Sequence, residues 1–117
     1  NKISVEKMNL SIIIPLYNEE QLIIELLKEL EKVTYPSFVK KVEVIIIDDA
    51  STDNSVENVA QWIKQKEHLQ LLKHKKNKGK GAAVKTGTKH ATGDFILIQD
   101  ADMELSPKRF LLEKRSL

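Results

Sequence analysis

Apolar residues follow two rhythms along this chain. Leu10-Ser11-Ile12-Ile13-Ile14-Pro15, Val42–Ile47, Leu69–Leu72 and Phe95–Ile98 are short, nearly continuous apolar runs. Rich in Ile, Val and Leu and bounded by polar or turn-forming residues, they predict strands buried on both faces. Between them the spacing lengthens. Leu22, Ile23, Leu26, Leu27, Leu30 and Val33 fall on one helical face, with Glu25, Lys28, Glu29 and Lys32 opposite. Val56, Val59, Ala60 and Ile63 form the stripe of a second helix. It opens near Asn54, with Glu57 three residues on as a capping partner. A third helix carries small residues, Ala82, Ala83, Gly87 and Ala91. Tyr35-Pro36-Ser37 and Gly93-Asp94 are breaks. Ser106-Pro107 reads as the cap and first residue of a fourth helix.

The order β-α-β-α-β-α-β predicts an α/β fold, a three-layer α/β/α sandwich around a parallel sheet. Right-handed crossovers give the strand order 3-2-1-4. No repeat or linker divides the chain, so residues 10–117 are expected to form a single domain after a flexible lead-in over 1–9. That order leaves the fourth strand at an edge. Phe95–Gln99 offers none of the charge, proline or bulge with which natural edges are protected. Phe110, Leu111 and Leu112 come too late to build much core, which suggests a truncated domain. The expected cover is therefore a missing part of the domain, or a second copy of the chain pairing edge to edge.

Composition narrows the picture. With 41% hydrophobic residues, 4 Gly and 3 Pro, the chain is neither disordered nor low-complexity. Zero cysteines exclude disulfides, thiolate metal sites and a Cys nucleophile, and fit a reducing compartment such as the cytoplasm. A net charge of +2 gives no reason to expect nucleic acid as a partner. No apolar run approaches the ~20 residues of a membrane span, and Asn1–Lys7 has no signal-peptide character.

In parallel sheets ligands bind at the carboxyl ends of the strands, and here those ends collect the polar chemistry. They carry Pro15, Tyr17, Asn18 and Glu19, then Asp48, Asp49, Ser51 and Asp53. Asn77-Lys78-Gly79-Lys80-Gly81 follows the third strand, and Asp100, Asp102 and Glu104 follow the fourth. Asp100, Asp102 and Glu104 at alternate positions of an extended segment would converge. Held together they need a hard cation such as Mg²⁺ or Mn²⁺, although a solvated acidic loop has the same spacing. The Asn77–Ala83 segment lacks the Walker A spacing. It is either a phosphate cradle leading into a helix N-terminus or a helix start that needs small residues for packing. Asp48 or Asp49 could bind a base or ribose hydroxyl, while Asp53 reads as a helix cap. Tyr17 either stacks on a base or packs at a corner. Seven lysines between Lys64 and Lys80 read first as a solvated face, the alternative being attraction to an anionic membrane surface. His68, His74 and His90 show no ligand spacing and read as surface residues, and Trp62 as packing.

Taken together, Ser11–Glu19, Ile47–Asp53, Asn77–Ala83 to Gly87, and Asp100–Asp102 resemble family 2 inverting glycosyltransferases of the GT-A fold. The likeness is strongest to the dolichol-phosphate mannosyltransferase and polyprenyl-phosphate branch. It implies transfer of a sugar from a nucleotide-diphospho-sugar, of the GDP-mannose or UDP-glucose type, to a lipid phosphate at the cytoplasmic membrane face. A polysaccharide or other glycan acceptor, or nucleotide-sugar binding without turnover, are the alternatives. The resemblance implies that Pro15, Tyr17, Glu19 and Asp49 line the nucleoside pocket, with Asn18 and Asp48 also among the residues that bind the nucleotide-sugar. Lys80 and Gly81 then meet the diphosphate, Asp100 and Ala101 touch the donor, and Asp100, Asp102 and Glu104 hold Mg²⁺ or Mn²⁺. Two positions depart from the family pattern: Glu104 where a Gln is frequent, and Ala50 where Gly is common. The acceptor-binding half and any catalytic base are expected outside these residues.

Overall fold

The computed structural model describes residues 6–64, 66–102 and 110–113, the last four as backbone only. Strands β1 (Met8–Leu16), β2 (Val39–Asp48), β3 (Leu69–Lys73), β4 (Phe95–Ile98) and β5 (Phe110–Glu113) alternate at first with helices. The helices are α1 (Ile23–Glu31), α2 (Ser55–Ile63) and α3 (Lys80–His90). The sheet order is β3-β2-β1-β4-β5. β3, β2, β1 and β4 run parallel in the expected 3-2-1-4 order.

Two expectations about the ends are corrected. β1 begins inside the segment read as a lead-in, because Met8 N–H donates to the Phe38 carbonyl at 2.8 Å and Met8 pairs with Val39. More consequentially, β4 is not an edge. β5 returns antiparallel along it, pairing Ile98 with Phe110 and Phe95 with Glu113. The apolar run of β4 is thus protected from within the chain by a short outer strand. This removes the ground for expecting a second copy to pair at β4. The helix start expected at Ser106-Pro107 lies outside the described residues.

Strand alternation sorts the core into two layers. Ile12, Ile14 and Ile46 face α1 and α2, meeting Leu26, Leu27 and Val59. Ile13, Ile45, Ile47 and Ile96 face the other way, onto Ala83 and Ala91 of the α3 side. Each such buried aliphatic side chain contributes about 1.5–3 kcal/mol. The small residues of α3 allow a close approach: a Cβ at Gly87 would lie 2.7 Å from both Ile13 Cγ2 and Ile47 Cδ1.

Pairing around β1 is asymmetric, and this opens the ligand edge. On the β2 side the ladder continues to Leu16 and Asp48, but on the β4 side it stops at Ile13 and Ile98. The Ile13 carbonyl accepts the Gln99 N–H at 2.9 Å. Backbone groups facing one neighbour recur at every second residue of a strand, so the next rung on the β4 side needs an N–H from residue 15. Pro15 has none. β1 and β4 therefore part at the point where strand order reverses, where open α/β sheets bind ligands.

Candidate functional site

A cleft of about 420 Å³ fills this parting, within the ~300–1,000 Å³ range of small-molecule sites. Pro15, Tyr17 and Glu19 form one side, and Asp49, Asn77, Gly79 and Lys80 the second. Asp100, Ala101 and Asp102 close the third. Tyr17 is 47% exposed, so its ring is open to a stacking partner. Of the other expected contacts, exposed Asn18 and buried Asp48 are not among the residues that line the cleft, and Gly81 sits in the first turn of α3, exposed. Glu104 lies outside the described residues.

Asn18 joins two loops. At φ 50°, in a left-handed conformation that Asn tolerates, its Oδ1 accepts from Thr52 N–H at 2.8 Å and Asp53 N–H at 3.2 Å. Its own N–H donates to Ser51 Oγ at 2.9 Å. Glu19 N–H donates to Ser55 Oγ and Glu20 N–H to Asp53 Oδ2. Asp53 Oδ1 accepts from Ser55 N–H at 2.9 Å, so Asp53 serves the start of α2. The expected Asn54–Glu57 capping pair does not form through Asn54, whose side chain makes no cap bond. Burial works to raise the Asp53 carboxyl, but the hydrogen bonds from Ser55 and Glu20 outweigh it and hold its pKa below the ordinary value. Asp48 is buried as well, with Oδ2 accepting Ser51 N–H at 3.0 Å.

Asp49 anchors the opposite wall. Its Oδ1 meets His74 Nδ1 at 2.8 Å and accepts Lys78 N–H at 2.9 Å, while Oδ2 accepts Gly79 N–H at 2.7 Å. Burial opposes ionisation, but the His74 bond, the two backbone donors and the His74 charge together hold the Asp49 pKa low. Gly79, at φ 97°, caps α3 in a conformation that favours glycine. The reading of all three histidines as surface residues is therefore corrected at His74, whose side chain is only 8% exposed. It stands one residue past β3, at the same sheet edge as Asp49. That adjacency was the available sequence signal, and the surrounding lysines masked it.

Across the cleft Lys80 Nζ is ion-paired with Asp100 Oδ1, both side chains about half exposed. The lysine–glycine loop and the acidic loop thus face each other, as the sheet topology requires. Asp100 and Asp102 both line the cleft. Two carboxylates beside room for a diphosphate suit Mg²⁺, which is commonly held by one or two carboxylates plus substrate phosphates. Among the described residues no group of three or more acidic or histidine side chains is arranged as a complete metal site.

Residues 11–113 match the family model described as glycosyl transferase family 2. The chain belongs to this family. Among curated relatives, the dolichyl-phosphate beta-glucosyltransferase of Dictyostelium discoideum is 35% identical over 108 residues, covering 87% of this chain and 33% of that protein. The enzyme of the same name from Saccharomyces cerevisiae is 33% identical over 102 residues, covering 83% and 30%. The chain thus spans about a third of the length of the curated relatives it matches. Mannosyltransferase PcManGT from Pyrobaculum calidifontis, solved with GDP-Man and Mn²⁺, superposes with a TM-score of 0.73 at 34% identity, covering 82% of this chain and 28% of that one. S. aureus TarS with UDP gives 0.71 at 34% identity, covering 81% and 28%. The family 2 resemblance, the 3-2-1-4 sheet and the GT-A architecture all stand, and the chain corresponds to a fragment of these longer enzymes.

Proposed function

We propose that this chain supplies the donor-binding part of an inverting glycosyltransferase that moves a glucosyl unit from a nucleotide-diphospho-sugar to a lipid phosphate. The observation that carries the reading is the cleft at the β1–β4 parting, where Lys80 and the start of α3 face Asp100 and Asp102. Tyr17 would stack on the base, and Lys80 would meet the diphosphate as a flexible point charge. Asp100 and Asp102 would hold Mg²⁺ or Mn²⁺, which supplies Lewis-acid neutralisation of the departing diphosphate. Binding both loops against one ligand fixes the donor for attack from the open face, so positioning and electrostatics supply most of the rate. A lipid phosphate is already ionised and asks little of a general base.

Glucose is favoured over mannose because both dolichyl-phosphate relatives carry glucose in their names, and their beta products accord with inversion from an alpha-linked donor. The exposed Lys73, Lys75, Lys76 and Lys78 lie beside the cleft and suit an anionic surface, which supports a reaction at the cytoplasmic membrane face. Among the described residues no helix is long and apolar enough to cross a membrane. Because the chain spans a third of these relatives, nucleotide-sugar binding without turnover is the second reading for these residues alone.

Calorimetry with UDP and GDP, with and without Mn²⁺, tests the donor site. Turnover of UDP-glucose against GDP-mannose, with dolichyl phosphate as acceptor, tests the reaction. Tighter nucleotide binding with Mn²⁺ and preferential glucosyl transfer are expected. Metal-independent affinity would remove the role of Asp102, and preferential mannosyl transfer would remove the choice of glucose.

A further inference from the structure

We propose that His74 is a positioning residue for the diphosphate-facing loop. Its imidazole, bridged between Asp49 and Thr86, fixes the Lys78–Gly79 backbone from which Lys80 and α3 start. The inference rests on the reading of this cleft as a nucleotide-diphosphate site.

The imidazole joins three elements. His74 follows directly on β3, and its backbone N–H donates to the Asp48 carbonyl at 2.8 Å, extending the β2–β3 ladder. Nδ1 lies 2.8 Å from Asp49 Oδ1, and Nε2 lies 2.8 Å from Thr86 Oγ1 in the body of α3. An ionised carboxylate only accepts, so Nδ1 carries a proton. Nε2 is served whichever way the Thr86 hydroxyl turns. Asp49, 5% exposed, spends its remaining capacity on the Lys78 and Gly79 amides.

Among the described residues little else holds the loop. Lys75, Lys76, Asn77 and Lys78 are exposed, and the hydrogen bonds that tie this run to the sheet end on Asp49. Without the imidazole, Asp49 is a buried carboxylate short of one donor and free to turn. The two amides then lose a fixed acceptor, and Gly79 loses the restraint on its left-handed conformation. A side chain that touches no ligand thereby sets where Lys80 begins.

The test compares His74→Asn, whose amide nitrogen can take the Nδ1 place, with His74→Gln, whose amide reaches toward Thr86 and falls short of Asp49. Amide exchange of Lys78 and Gly79 is followed by NMR, and UDP, GDP, uridine and guanosine are titrated by calorimetry. His74→Gln is expected to speed exchange at Lys78 and Gly79 and to weaken diphosphate binding, each by about tenfold, the equivalent of one hydrogen bond. Nucleoside affinity should change by less than about twofold, and His74→Asn, which keeps the Asp49 bond but loses the one to Thr86, should restore both readouts in part. Unchanged exchange in His74→Gln, or equal losses in the Asn and Gln variants, overturns the proposal. If His74→Gln melts too low to study, Thr86→Val, lacking one hydroxyl, takes its place: faster exchange at the two amides supports the strut, unchanged exchange overturns it. A wild-type protein that binds UDP and GDP no better than the nucleosides defeats the nucleotide reading instead, and the exchange pattern still decides the role of His74.

Discussion

Lys80, the first residue of α3, is ion-paired with Asp100, two residues past the last residue of β4. The pair spans the cleft from the cationic to the acidic wall. Each partner remains about half exposed, so the pair is held loosely in water and can exchange for a ligand. Lys80→Ala is expected to weaken UDP or GDP binding by about tenfold or more, leaving uridine and guanosine nearly unchanged. Calorimetry on the four ligands checks this, and equal losses for all four would assign Lys80 a structural role.

Asp49 links the cleft wall to acid stability. Its pKa is lowered in the folded protein, so its contribution is fully present above the unfolded carboxylate value of about 3.9. It is lost as pH falls through the lower folded value. Asp53 and Glu43 act in the same direction. For Glu43, burial is outweighed by hydrogen bonds from Ser11, Thr92 and Gly93. Urea midpoints should be flat near neutrality and fall below about pH 4. Asp49→Asn should be less stable at neutral pH and show a shallower acid decline. An Asn variant with an undiminished decline would show that other groups control it.

Gly87 sets the distance of α3 from the sheet. Gly87→Ala places a methyl against Ile13 and Ile47, and overpacking of this kind costs about 1–3 kcal/mol. A lowered denaturation midpoint with an unchanged denaturant slope is expected. Gly81→Ala is the control, since a Cβ there meets nothing within 4 Å.

Ala50 carries a φ of 63° directly after Asp49, a backbone conformation that favours glycine. A left-handed alanine costs about 1–2 kcal/mol, and glycine returns part of that gain through unfolded-chain entropy. Ala50→Gly should therefore raise stability by about 0.5–1 kcal/mol, read as a higher urea midpoint.

Much of this was legible because the strands are buried on both faces. Continuous runs such as Ile12–Ile14 and Val44–Ile47 admit few alternatives to a parallel sheet, and the sheet then dictates which loops meet. What the sequence hid depends on contacts between distant segments. Nothing local to Asn18 announces that its amide holds Thr52 and Asp53, and nothing local to His74 separates it from the lysines around it. The strand at Phe110–Glu113 is hard to read for a related reason: four residues are too few to show a period, and only pairing along β4 makes them a strand.

Pro15 specifies the crevice by omission. One absent proton donor in the most central strand halts the zipper between β1 and β4, while the β2 side closes for three residues more. The gap is thus written into the main chain, where exchange of neighbouring side chains leaves it untouched. Variation in the surrounding loops can then alter what is bound without altering where binding takes place.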